Sequence, residues 1–155
     1  NEKKEIRPYA AEIFPQYFNQ PVTVVQTLLA ERSFWEKATI LHQEYHRDPD
    51  KQLPPRFSRH YYDLYRMSRS VIRDRALARM ELLKDVVHFK IRFYRCPWAR
   101  YEDAKPGSLK LSPPAYRLDN LRKDYRSMKA MLFGNIPSIE EIVAGLAVLE
   151  NIINR

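Results

Sequence analysis

Two short stretches concentrate the residue types that handle charged substrates: Glu31-Arg32-Ser33-Phe34-Trp35-Glu36-Lys37 and Arg56-Phe57-Ser58-Arg59-His60-Tyr61-Tyr62-Asp63. Each sets ionisable groups among large aromatics, a mixture that suits neither open solvent nor an apolar core. Lys37 lies three residues after Phe34 and four before Leu41, so at helical spacing its stem borders the apolar stripe Phe34, Ala38, Leu41, Tyr45. An ammonium there snorkels to water, pairs with an acid such as Glu36 or Glu44, or meets an anionic ligand, because a buried unpaired charge is costly. In the second stretch Asp63 follows Arg59 by four residues and precedes Arg66 by three. That spacing puts one carboxylate between two guanidinium groups, beside the stripe His60, Leu64, Met67, Val71. The bland alternative to a site is a surface ion pair, worth a few tenths of a kcal/mol.

Taken in order, the two stretches resemble the third and fourth motifs of the AbiEii/AbiGii-type toxin nucleotidyltransferases. Glu36-Lys37 meets the acid-then-lysine ending of the third motif. The fourth motif reads Arg-x-x-Lys-Asp, an apolar residue, any residue, then Asp and another apolar residue. Arg56, Asp63 and Leu64 meet it, with Arg59 in place of the lysine and His60 in place of the first Asp. The resemblance continues more weakly through Val86–Lys90 and Pro137–Glu141.

This resemblance implies the helical C-terminal half of a nucleotidyltransferase that uses an NTP and Mg²⁺, with tRNA as a plausible acceptor and an antitoxin protein as a possible partner. Lys37 and Asp63 would be catalytic, the lysine facing the triphosphate and Asp63 either orienting it or acting on the acceptor hydroxyl. Arg32, Arg56 and Arg59 would contact nucleotide or RNA phosphates, with Glu36 and His60 in support. The family's first two motifs, a Gly-Gly-Ser/Thr turn leading to an Asp and then an acidic strand, hold the phosphates and the metal. No Gly-Gly turn occurs here: Gly107, Gly134 and Gly145 are the only glycines. The metal ligands are therefore expected on a missing N-terminal catalytic half, no metal ligand is assigned in this chain, and the chain alone is expected not to turn over. The alternative is a non-catalytic basic helical module that binds nucleic acid or an antitoxin-like protein.

Length and composition fit that setting. The 155 residues suffice for one domain with a single core, residues 1–155, and 45% apolar content argues for a globular chain. A net charge of +8, from 27 basic and 19 acidic residues, suits a polyanionic partner as well as solubility. The one cysteine, Cys96, excludes an internal disulfide and fits a reducing compartment. No apolar run approaches the ~20 residues of a membrane span, so a cytoplasmic location is expected.

The elements that must position the two stretches follow from periodicity and punctuation. The fold class expected is mainly α, a bundle of four to five helices with a short N-terminal β segment. Val22–Leu29 reads as a strand that needs either a partner chain or a hairpin with the first twenty residues. Ser33-x-x-Glu36 fits a capping box that starts a helix at about Ser33. A Pro-rich loop over 47–55 then brings the second motif's helix beside the first. Further helices are expected at about 72–94, at 116–133 with Gly134 ending it, and from Ser138, where Ser138-x-x-Glu141 forms a second capping box. His42 and His46 stand one helical turn apart, a metal-ligand spacing that lacks a third donor, and are read as packed or solvent-facing.

Overall fold

The computed structural model describes residues 1–155 and divides them into two compact units, 1–30 and 31–155. In the first, strands β1 (Glu2–Ile6) and β2 (Thr23–Thr27) pair antiparallel, from Glu2 opposite Thr27 to Ile6 opposite Thr23. The Thr27 hydroxyl adds a hydrogen bond to the Glu2 carbonyl at 3.1 Å. The strand expected at 22–29 thus finds its mate within the first twenty residues. Between the strands lie a short helix, α1 (Tyr9–Ile13), and a 3-10 turn at Pro15–Tyr17. Few side chains of this unit are covered: Ile6, Tyr9, Ile13, Phe14, Tyr17, Val22, Val24 and Leu28 are all exposed.

The second unit is helical: α2 (Ala30–Tyr45), α3 (Ser58–Ser68), α4 (Val71–Leu77), α5 (Met80–Phe93), α6 (Leu118–Met128) and α7 (Ile139–Ile153). The chain is mainly α as expected, but its seven α-helices exceed four to five. One core joins Phe34, Trp35, Ala38 and Leu41 of α2 to Tyr61 and Leu64 of α3. Leu83 and Val86 of α5, Leu121 and Tyr125 of α6, and Ile142, Leu146 and Leu149 of α7 complete it. α7 opens with the expected capping box, Ser138 and Glu141 each accepting the other's backbone N–H.

Three boundaries differ from the sequence reading. α2 begins at Ala30, one turn earlier, so Ser33 is an interior helical residue and caps nothing. Ala-Glu-Arg are good helix formers, and Glu31 in the first turn complements the helix dipole. The helix expected at 72–94 breaks at Ala78–Arg79, where Arg79 leaves helical geometry (φ −129°, ψ 59°). No Pro or Gly marks that break. The Ala76 carbonyl accepts from the buried Trp35 indole at 3.2 Å and from the Arg79 amide at 3.0 Å, so a tertiary hydrogen bond helps to satisfy the carbonyl where the helix stops. The helix expected at 116–133 is bounded by 3-10 turns at Ala115–Arg117 and Lys129–Met131, and Gly134 lies in the segment beyond.

The segment 97–114, expected only as a break, carries part of the core, with Leu109 and Leu111 fully buried. Glu150 accepts the amides of Leu111 and Ser112 at 2.6 and 2.8 Å, and Asn154 bonds both backbone groups of Leu109. The helix crossing of α7 and α3 is as close as it can be, since a Cβ at Gly145 would sit 2.5 Å from the Tyr65 ring. Gly145→Ala is therefore expected to destabilise the protein by about 1–2 kcal/mol in urea unfolding, overcoming the ~1 kcal/mol that Ala ordinarily gains over Gly in a helix.

Candidate functional site

The loop between α2 and α3 is held from α6 and the turn before it. Arg117 is buried, and its two terminal nitrogens donate to the carbonyls of Lys51 and Asp48 at 2.6 Å each. Nearly two turns into α6, Asp124 accepts the Arg56 amide at 2.7 Å and the Ser58 amide at 2.8 Å, as well as the buried Ser58 hydroxyl. The Ser58 amide is one of the donors that a helix N-terminus leaves without an intrahelical partner. Arg56 itself adopts φ +60°, an uncommon conformation for a residue with a side chain, and the bond to Asp124 fixes it there. Nothing local in either motif announces Arg117 or Asp124, which lie more than fifty residues away. The only available signal was charge in an otherwise amphipathic helix.

With α3 fixed in this way, the two motifs meet. The Lys37 ammonium lies 2.7 Å from Asp63 Oδ2 and 3.3 Å from His60 Nδ1, joining α2 to α3. The side chains of Lys37 and Asp63 are 26% and 40% exposed, so the pair is reachable from solvent. The acids nearer in sequence are occupied elsewhere: Glu36 pairs with Arg32 at 3.2 Å, and Glu44 with Arg47 at 2.7 Å. At its exposure the Lys37–Asp63 pair contributes at most about 1 kcal/mol to stability. The fold has little need of it.

His60 accepts the lysine's proton at Nδ1, which leaves Nε2 as its N–H. Burial first, then the Lys37 and Arg59 cations, lower its pKa from 6.5 to about 4, so it is neutral at pH 7. Asp63 is not flanked by two guanidinium groups as its spacing suggested. Arg66 turns away to the Asn135 carbonyl at 3.3 Å, and the ion partner of Asp63 is Lys37. Arg56 and Arg59 are exposed, whereas Arg32 is tied to Glu36 with its guanidinium 6.0 Å from the Phe89 ring centroid.

His42 belongs to the scaffold. Fully buried, it donates from Nε2 to the Arg100 carbonyl at 3.0 Å and accepts the Lys110 amide at Nδ1 at 3.1 Å, which requires the neutral ring. No group of three or more His, Cys, Asp or Glu side chains is placed to hold a metal ion. Asp48-Pro49-Asp50 has the Asp-x-Asp spacing but closes a turn in which Asp48 accepts the Asp50 amide at 2.9 Å. Asp63 is engaged by an ammonium. The residues present therefore do not fit a Mg²⁺ site. Nor is any helix long and apolar enough to cross a membrane.

A helical scaffold that brings a lysine, an aspartate and a neutral histidine together where solvent reaches them defines a module suited to anionic ligands. The family model for the nucleotidyl transferase AbiEii toxin of type IV toxin–antitoxin systems matches residues 1–145, and the chain belongs to that family. No curated protein and no solved structure matches it. That family is one of nucleotidyl transferases, whose chemistry generally uses an NTP and a divalent metal, within toxin–antitoxin systems.

Three measurements test this geometry. Asp124→Ala is expected to lower stability by about 2–3 kcal/mol in urea unfolding, because three donors lose a charged acceptor. The two neutral histidines set an acid limit. Both fold with pKa lowered from 6.5 to about 4, His42 mainly through burial. As pH falls the unfolded chain takes up these protons first, so stability is fully present above about pH 6.5 and is lost between there and pH 4, by about 3 kcal/mol for His42 alone. In NMR titrations, Lys37→Met should move the His60 midpoint upward towards 6.5.

Proposed function

We propose that the chain is the helical C-terminal part of an AbiEii nucleotidyltransferase toxin, in which Lys37 and Asp63 serve transfer of a nucleotide from an NTP, with tRNA as the acceptor. The observation that carries this reading is the meeting of Lys37, Asp63 and His60 across α2 and α3, at 2.7 and 3.3 Å, within reach of solvent. In phosphoryl and nucleotidyl transfer the protein's main contribution is positioning and neutralising charge on the non-bridging oxygens. Lys37 supplies that charge. Asp63, bonded to it, orients the ammonium towards the triphosphate, and neutral His60 adds an Nε2–H donor without adding charge.

Exposed Arg56 and Arg59 would meet phosphates of the nucleotide or of the RNA strand, and Arg32, held by Glu36, would border the same surface. The metal ligands would come from a preceding catalytic half. Residues 1–30 give that half somewhere to bind: a two-stranded sheet with unpaired outer edges, bearing exposed Ile6, Val22, Val24 and Leu28. Such edges and apolar side chains are usually covered. A cytoplasmic setting, where NTP and tRNA are found, belongs to the same reading.

The non-catalytic alternative rests on the absence of a metal-ligand set here. One experiment separates the two. In the complete enzyme, with labelled NTP and tRNA, Lys37→Ala is expected to reduce transfer by about 100-fold or more, while Lys37→Arg retains part of it. Unchanged transfer by Lys37→Ala would remove Lys37 from the chemistry and leave the chain a binding module.

A further inference from the structure

A concave site lies between α2 and α5. Glu36, Ile40 and Gln43 line it from one face of α2, Val86, Phe89 and Lys90 from α5, and Tyr94 and Tyr101 close it. Its volume, about 330 Å³, is within the ~300–1,000 Å³ range of small-molecule sites. The walls are apolar and aromatic: the Phe89 and Tyr94 ring centroids are 5.9 Å apart, and both rings are exposed.

Three polar groups face this space with capacity to spare. Gln43 uses its carbonyl oxygen to accept from the Tyr101 hydroxyl at 2.6 Å, which leaves its amide NH₂ free. Glu36 gives Oε1 to Arg32, which leaves Oε2. The Lys90 ammonium lies 5.4 Å from the Tyr101 ring centroid and is bonded to no carboxylate, although Glu36 is its nearest acid influence. Burial lowers its pKa from 10.5 to about 8, a sign that the cation lacks compensation in the free protein. A purely apolar ligand would leave that ammonium worse off, and a simple anion would not use the aromatic walls.

We propose that this cleft is a nucleobase-binding subsite, stacking a base on Phe89 and Tyr94 and reading its polar edge with Lys90, Gln43 and Glu36. A nucleobase matches the lining because it presents two π-faces and a mixed donor–acceptor edge, and aromatic side chains stack bases with little sequence preference. Glu36, which lines the cleft, and Lys37, which faces α3, are consecutive on α2. On this proposal, the phosphate of a base held here would extend around α2 towards Lys37, one residue on and about 100° round the helix. The inference rests on the reading of Lys37 as the phosphate-facing residue, and the base can belong to a free nucleotide or to an unpaired position of an RNA strand.

The test titrates the full chain with uridine and guanosine, their 5′-monophosphates, and a short single-stranded RNA oligonucleotide, by calorimetry and saturation-transfer NMR. Lys90→Met, which keeps most of the apolar stem, and Tyr94→Ala, at an exposed ring, are each expected to weaken binding about tenfold, with circular dichroism unchanged. Binding of nucleosides identifies a mononucleotide site, whereas binding of the oligonucleotide alone assigns the base to RNA. Absence of both, as when the cleft is instead covered by a protein segment, overturns the proposal, as does binding indifferent to both substitutions. If Lys90→Met weakens nucleoside binding while Lys37→Met leaves the extra affinity of the monophosphate unchanged, the base site stands and the phosphate role of Lys37 falls.

Discussion

The carboxylate of Asp124 fixes where α3 begins, and the placement of the second motif depends on that anchor. It accepts two backbone amides and a buried hydroxyl at the point where the chain turns through Arg56 into the helix. A net contribution of about 1.5–3 kcal/mol for a hydrogen bond to a charged group makes this a far stronger constraint than the Lys37–Asp63 pair, which at its exposure is worth about 1 kcal/mol at most. Cause therefore runs from α6 to the site. The lysine and aspartate meet because the helices that carry them are pinned, and breaking the pair would leave those helices where they are.

That ordering has an electrostatic consequence. Since the pair is not needed to hold α2 against α3, Lys37 is able to exchange its carboxylate partner for a ligand oxygen at little cost in stability. Asp63 keeps the ammonium aimed in the meantime, and His60 accepts from it without competing for charge. A protonated His60 would put a second cation 3.3 Å from the first. Burial and the neighbouring cations together prevent this at neutral pH, which gives the cluster one cation, one anion and one neutral ring.

Some of this was legible in the sequence because it is local. The two motifs, the helical class and the second capping box each depend on residues within one or two turns of one another, and their spacing carries the signal. The approach of Lys37 to Asp63 was legible only through resemblance to a family, since no periodicity relates residues on different helices. What escaped is non-local. The break at Ala78–Arg79 involves a Trp35 indole from another helix, and the ordering of 97–114 depends on Glu150 and Asn154 at the far end of the chain. Ser33-x-x-Glu36 misled for the opposite reason. The pattern was present, but the preceding Ala-Glu-Arg had enough helix propensity to carry the helix past it.

The same contrast between local and distant pairing clarifies the charge. A net +8 spread through the chain does not by itself make a binding surface. Much of it is answered on the spot: Arg47 by Glu44, Arg100 by Asp103, Arg122 by Asp119 and Glu140, and Arg117 by backbone carbonyls. Around the cleft the pattern changes. Arg56 and Arg59 stand exposed, Lys90 has no carboxylate in contact, and the one acid touching Lys37 is itself half open to water. The positive character of this face arises less from a high density of cations than from how few are paired, and unpaired cations beside aromatic rings remain available to an anionic, base-bearing ligand.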